Sequence, residues 1–146
     1  MSTFNVDLTI GNLSQPARNR RVSAMVDTGA TYTTLPQEVV EALGSRPIGS
    51  RQVVFADGRE EEWPITCVWV TVDGREGPTF SFIGPRGGAA LLGAVTLEEF
   101  ALGVDPIAKR LIPICSYLTR QHVRPPHAGA GLRLQTLTSP ETRRTW

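Results

Sequence analysis

The residues of this 146-residue chain best suited to chemistry are Asp27-Thr28-Gly29, which directly follow the apolar run Ala24-Met25-Val26. A carboxylate at the end of a buried strand is costly unless something pairs with it or neutralises it. Gly29 lets the backbone turn sharply straight after the acid, and Thr28 supplies a hydroxyl to tie that turn down. The segment therefore presents a carboxylate on a rigid elbow at the edge of a core. As a bare tripeptide the motif carries little weight, since strands often end in polar turns that contain Asp and Gly.

Other candidate chemistry is weaker. His122 and His127 have no Cys or Glu at ligand spacing, so no metal site is expected. Gly84 to Gly88 has neither Walker spacing nor a following Lys-Ser/Thr and reads as a plain loop. Glu60-Glu61-Glu62 reads as a solvated strand face, which would favour basic substrates if it bordered a cleft. No serine or histidine stands in a nucleophile-elbow pattern.

The elements that must position the elbow are mostly strands. Fourteen glycines and eleven prolines break the chain into short intervals rich in Val, Ile, Thr and aromatics, which indicates a mainly β domain. Phe4, Val6, Leu8 and Ile10 alternate with polar residues, the period of a half-buried strand, and Arg21 to Asp27 reads as a second. Pro36 to Leu43 is a short helix, with Pro36 at its first position and Gly44 closing its end. Arg51 to Ala56 and Arg59 to Val72 form a hairpin turning at Asp57-Gly58, and Asp73-Gly74 turns a second hairpin into Thr79 to Ile83. Ala90-Leu91-Leu92 is apolar throughout, as a strand buried on both faces would be. Ala94 to Ala101 reads as a second short helix, and Val104-Asp105 and Leu111 to Tyr117 as two last strands around Pro106.

Composition bounds the rest. The net charge of +1 provides no whole-protein attraction to nucleic acid or anionic lipid. From Arg120 onward there are five arginines and one acid, and that Pro- and Gly-containing stretch has little periodicity, so 119–146 is expected to be a basic tail outside a domain at 1–118. Cys67 and Cys115 sit among apolar neighbours and are expected to be small core residues in a reducing compartment. The first thirty residues hold no signal-peptide core and no run of eighteen apolar residues occurs, so a soluble, cytoplasmic protein is expected.

Met25-Val26-Asp27-Thr28-Gly29-Ala30 resembles the active-site motif of the retropepsin-like aspartic proteases, two apolar residues followed by Asp-Thr/Ser-Gly-Ala. That family carries a second mark some sixty residues on, two apolar residues and a glycine opening a helix, and Leu91-Leu92-Gly93 matches it in order and spacing. The hairpin tipped by Asp57-Gly58 falls where the family has its flap, and the resemblance spans about Phe4 to Ile114. It implies a closed, β-barrel-like acid protease fold of the retropepsin type, with one or two short helices and a β-hairpin flap.

The resemblance also implies the activity of an aspartic endopeptidase. Catalysis would rest on Asp27, Thr28 and Gly29, with Ala30, Leu92 and Gly93 supporting them and Phe55, Ala56, Asp57 and Gly58 closing over an extended peptide or protein substrate. Asp7, Asp57, Asp73 and Asp105 are not followed by Thr-Gly or Ser-Gly, so one chain holds half a site and a homodimer is implied. Thr28 would hydrogen-bond across the dimer axis. No cofactor, metal, nucleic acid or membrane enters this scheme. Tyr32, Phe55 and Trp63 are large enough to line specificity pockets, core packing being the other role for at least one.

Two departures stand out. The viral enzymes pair an acid two places after the motif's glycine with an arginine after the second glycine, where this chain has Thr31 and Ala94. Only Met1 to Thr3 precede the first strand, so Leu111 to Leu118, not an N-terminal strand, is the candidate for the dimer sheet. The alternative function is a catalytically weak or inactive dimerisation or peptide-binding module on the same fold.

Overall fold

A computed structural model describes residues 3–116. Nine strands and two short helices follow one another as β1 (Asn5–Gly11), β2 (Asn19–Val26), β3 (Thr33–Pro36), α1 (Gln37–Ala42), β4 (Gly49–Val54), β5 (Glu60–Val72), β6 (Arg75–Gly84), β7 (Ala90–Leu92), α2 (Ala94–Glu99), β8 (Leu102–Asp105) and β9 (Arg110–Pro113). Seven strands form one sheet in the order β1-β2-β7-β3-β6-β5-β4, and β1 pairs again with β5. That second pairing, Thr9↔Thr71 to Gly11↔Trp69, closes six strands into a barrel and leaves β4 outside it as the free partner of β5. The mainly β, closed-barrel expectation holds, with two short helices.

Alternation sets the barrel wall. Leu8 and Ile10 of β1, Ala24 and Val26 of β2, and Val68, Val70 and Val72 of β5 turn inward and are buried together with Leu35, Leu92, Leu97 and Phe100. Burying an aliphatic side chain of this size stabilises the fold by roughly 1.5–3 kcal/mol.

The crossing at β7 organises the site. β7 runs parallel to β2, from Ala24↔Ala90 to Val26↔Leu92, and antiparallel to β3 at Thr34↔Leu91. A strand with partners on both edges, and Ala90 and Leu92 buried, needs apolar residues throughout.

Several local expectations are corrected. β3 was not expected from the sequence: Thr33-Thr34-Leu35-Pro36 is buried at every position, so it shows no alternation. Pro36 caps α1 from the extended conformation (φ −59°, ψ 148°) and does not open its first turn. The β4–β5 hairpin turns through three residues, Ala56-Asp57-Gly58, with Phe55 N donating to Arg59 O (2.9 Å) and Gly58 N to Phe55 O (2.9 Å). Gly58, at φ +85°, takes the left-handed position that such a loop requires. At Asp73-Gly74 both residues are left-handed (φ 50° and 76°), as a two-residue hairpin demands. β9 ends at Pro113, opposite Leu102, with one further backbone bond from Ile114 N to Ala101 O (2.9 Å). Tyr117, Leu118 and the tail at 119–146 lie outside the described residues. Cys115 is exposed and Cys67 half-buried, so neither is a core residue. Desolvation, with Glu99 adding to it, pushes the Cys67 thiol above its ordinary value. Among the described residues, no helix is long and apolar enough to cross a membrane.

Candidate active site

Asp27 is the first residue beyond β2, at the point where β7 comes alongside. Its N–H donates to Leu92 O (3.0 Å), so the backbone of the carboxylate-bearing residue continues the β2–β7 pairing. Its Oδ1 accepts from Gly29 N (2.9 Å), and Ala30 N donates to Asp27 O (3.2 Å). A carboxylate that takes its own turn's amide is held in one orientation while its second oxygen stays available. The side chain is half-buried and Thr28 is exposed.

Residues 93–95 grip the elbow from the other side. Ala94 N donates to Ala30 O (2.8 Å) and Val95 N to Thr31 O (3.0 Å). Backbone bonds thus join the neighbourhoods of Thr31 and Ala94, neither of which carries a charge. Gly93 passes so close that a Cβ would lie 2.4 Å from the carbonyl carbon of Tyr32 and 2.7 Å from Thr33 N. Only glycine fits, which is the physical content of the second mark. Asp27, Gly29, Ala30, Leu92 and Gly93 are thus brought together.

A hollow of about 620 Å³ opens beside the elbow, lined by Asp27 and Thr28 and otherwise chiefly by apolar side chains, among them Phe4, Leu97, Leu102, Val104 and Ile114. Glu98 is its other acid. Phe55, Ala56, Asp57 and Gly58 lie at the tip of the β4–β5 hairpin and do not line this hollow. The tip is held internally: Asp57 accepts from Arg59 N (3.0 Å) and Nε (2.8 Å), and Arg59 lies over the Phe55 ring. The Arg59 side chain, and then its backbone amide, hold the Asp57 carboxyl below the usual aspartate range.

Phe55 packs edge-on against Trp63 (5.7 Å between ring centres), Trp63 against Phe82 (6.1 Å), and Phe82 against Tyr32 (5.3 Å). The three aromatics considered as pocket walls therefore belong to one line of rings, joined by Phe82, which runs from the hairpin tip to the strand following the elbow. Glu60, Glu61 and Glu62 are exposed, and Glu61 accepts from Trp63 Nε1 (2.8 Å) and Arg59 Nη1 (3.4 Å). Among the described residues no cluster of His, Cys, Asp or Glu could hold a metal ion.

Sequence reasoning missed two features near the site. A buried chain of threonine hydroxyls runs behind Gly93 (Thr33, Thr96 and Thr79), and no local motif marks residues so far apart. The loop between β6 and β7 is tied to α1, where Arg86 donates to both oxygens of Glu41 (2.6 Å each) and Gly87 N to Glu38 (3.1 Å).

No curated protein matches the chain. Its fold is similar to that of the EIAV protease, solved with the inhibitor HBY-793, at 17% identity and a TM-score of 0.53 over 75% of this chain and 91% of that one. The simian foamy virus (mac) protease aligns at 21% identity and a TM-score of 0.47, over 65% and 92% respectively. The sequence model described as aspartyl protease matches residues 6–103, from β1 into β8 and across both marks. That is well over half of the molecule, and the chain belongs to the aspartyl protease family.

Proposed function

We propose that the protein is an endopeptidase in which two copies of Asp27, one from each subunit of a homodimer, activate a water molecule between them. The observation that carries this reading is the elbow: a half-buried carboxylate that accepts from Gly29 N, on a residue whose backbone N–H is held by Leu92 O, next to an exposed Thr28 and an apolar hollow. One chain holds a single such acid, and a twofold axis beside Thr28 brings in the second.

The chemistry follows from placing two carboxylates about 3 Å apart, the behaviour for which aspartic proteases are the standard example. Both cannot ionise cheaply, so one keeps its proton. The ionised Asp27 takes a proton from the water, which attacks the scissile carbonyl carbon. The protonated Asp27 donates to the carboxamide oxygen as it becomes tetrahedral. Proton transfer to the amide nitrogen then allows the C–N bond to break. No covalent intermediate forms.

Thr28, exposed on each elbow, hydrogen-bonds across the axis and stiffens the pair. The β4–β5 hairpin acts as the flap: residues 55–58 close over an extended peptide and pair with its backbone, which excludes bulk water. Apolar surface around the hollow, notably the exposed Ile114, meets its counterpart at the seam. The outer edge of β9, unpaired among the described residues, supplies the dimer sheet. We assign the catalytic domain to 1–118 and treat 119–146 as a basic tail.

The Asp27→Asn variant tests this directly. It is expected to fold and dimerise and to lose peptide cleavage by at least about a thousandfold, the scale of a general acid–base group. Cleavage within tenfold of wild type by a folded variant overturns the assignment. A dimer that binds a pepstatin-type inhibitor, yet cuts nothing in a broad peptide library between pH 3 and 7, would instead indicate the binding-module alternative.

A further inference from the structure

Behind the elbow, three threonines from three elements meet out of reach of solvent. Thr33 of β3, Thr79 of β6 and Thr96 of α2 are each 2% exposed or less. Thr33 Oγ1 lies 2.7 Å from Thr96 Oγ1, which lies 2.8 Å from Thr79 Oγ1. The chain has fixed ends: Gly93 N donates to Thr33 Oγ1 (3.1 Å), and Thr79 Oγ1 donates to Glu99 Oε1 (3.1 Å).

An amide N–H can only donate and a carboxylate oxygen can only accept, so the ends set the direction of every hydroxyl between them. Thr33 accepts from Gly93 and donates to Thr96, Thr96 donates to Thr79, and Thr79 donates to Glu99. Each hydroxyl is used as both donor and acceptor, and such one-way chains polarise and strengthen their members.

We infer that Thr96 is a positioning residue for the reaction, its hydroxyl fixing, through Thr33, the Gly93 peptide that holds the Asp27 elbow. The inference rests on the proposed role of Asp27. Consider residues 92–95 in turn. Leu92 O, Ala94 N and Val95 N all bond to the elbow, at Asp27, Ala30 and Thr31. Of the amides at 93–95, only Gly93 N is turned away from it, towards Thr33. Glycine has few steric limits on its own backbone, and a Cβ cannot be accommodated at this crossing. A hydrogen bond must therefore supply the rigidity that a side chain would give elsewhere. The Thr33 hydroxyl is that bond, and Thr96 orients it.

The chain touches neither substrate nor reacting atoms, so its loss should act on the dyad's spacing and not on binding. Thr96→Val keeps the side-chain shape and removes the hydroxyl; Thr96→Ser keeps the hydroxyl. Activity is measured per active site, titrated with a tight-binding pepstatin-type inhibitor, so that partial unfolding drops out. Thr96→Val is expected to lower kcat at least tenfold with KM within twofold, and Thr96→Ser to restore kcat to within threefold. Carboxylates held less closely interact less, so the bell-shaped pH profile should narrow in Thr96→Val.

A kcat within twofold of wild type and an unshifted pH profile, whatever the loss in Tm, would show Thr96 to be a core residue only and overturn the inference. If Thr96→Val does not fold, Thr79→Val breaks the same chain one bond further from Gly93, and the same readouts decide with a smaller expected fall in kcat. Asp27→Asn is the control: activity there overturns the proposed function itself, whatever the threonines do.

Discussion

Gly93 shows how much one side chain, or its absence, can determine. With Tyr32 backbone atoms 2.4 and 2.6 Å from an ideal Cβ, Gly93→Ala must displace main chain and not merely a flexible side chain. Overpacking of this kind costs more than about 3 kcal/mol where the neighbour cannot yield. Chemical denaturation should show that loss, with cleavage impaired beyond what the unfolded fraction explains; a variant of wild-type stability would contradict the geometry. Asp27 and Gly29 were legible because their types are dictated locally, a carboxylate and a turn, and Gly93 because it stands in the second mark of the family that the sequence resembles. Thr33 and Thr96 were not, since threonine is an ordinary strand or helix residue and only the fold makes these two neighbours. Cys115 misled for a related reason. Apolar sequence neighbours do not say which way a side chain faces, and Cys115 is exposed.

Among the elements, the hairpin and α1 carry charges whose behaviour in acid matters to an enzyme of this class. Asp57 is held below its usual range by Arg59, and Glu41 by Arg86 and then Gln37. A depressed folded-state pKa means that each contact contributes fully above the unfolded value and is lost as pH falls through the lower, folded one. Both carboxylates are surface groups, so the expected effect is local order, not global stability. NMR titration should find Asp57 ionising below an ordinary aspartate, and Arg59→Ala should return it to the usual range. In Arg86→Ala, amide exchange at Gly87 and Gly88 should quicken, because Arg86 is a main tie of their loop to α1. Unchanged exchange would mean that Glu38 holds the loop unaided. The hairpins were legible from Asp-Gly pairs, though the first needed a third residue. β3 was hidden because a strand buried on every side loses the alternation by which strands are read.

At the level of the whole molecule, the closed barrel gives a stable half and the proposed site needs two. Leu92 is fully buried in β7, and Leu92→Ala should cost about 2–5 kcal/mol and lower activity with it, measurable by urea denaturation. Shared catalysis has a sharper signature. When wild-type chains exchange with Asp27→Asn chains at constant total protein, only wild-type pairs keep both acids, so activity should fall with the square of the wild-type fraction. A linear fall would mean that each chain works alone. Dilution below the dimer's dissociation constant should likewise reduce turnover per chain.

The insertion of β7 between β2 and β3 also has a consequence for how the enzyme comes into being. Its partners lie some sixty residues earlier in the chain, and such distant pairings form late because loop closure must precede them. Until Ala90 to Gly93 has emerged from the ribosome and slotted home, Asp27 has no Leu92 carbonyl to lean on and no Gly93 crossing behind it. A nascent chain therefore carries the acid long before it carries the proposed half-site whole, and on that reading it cannot cut while it is still being made.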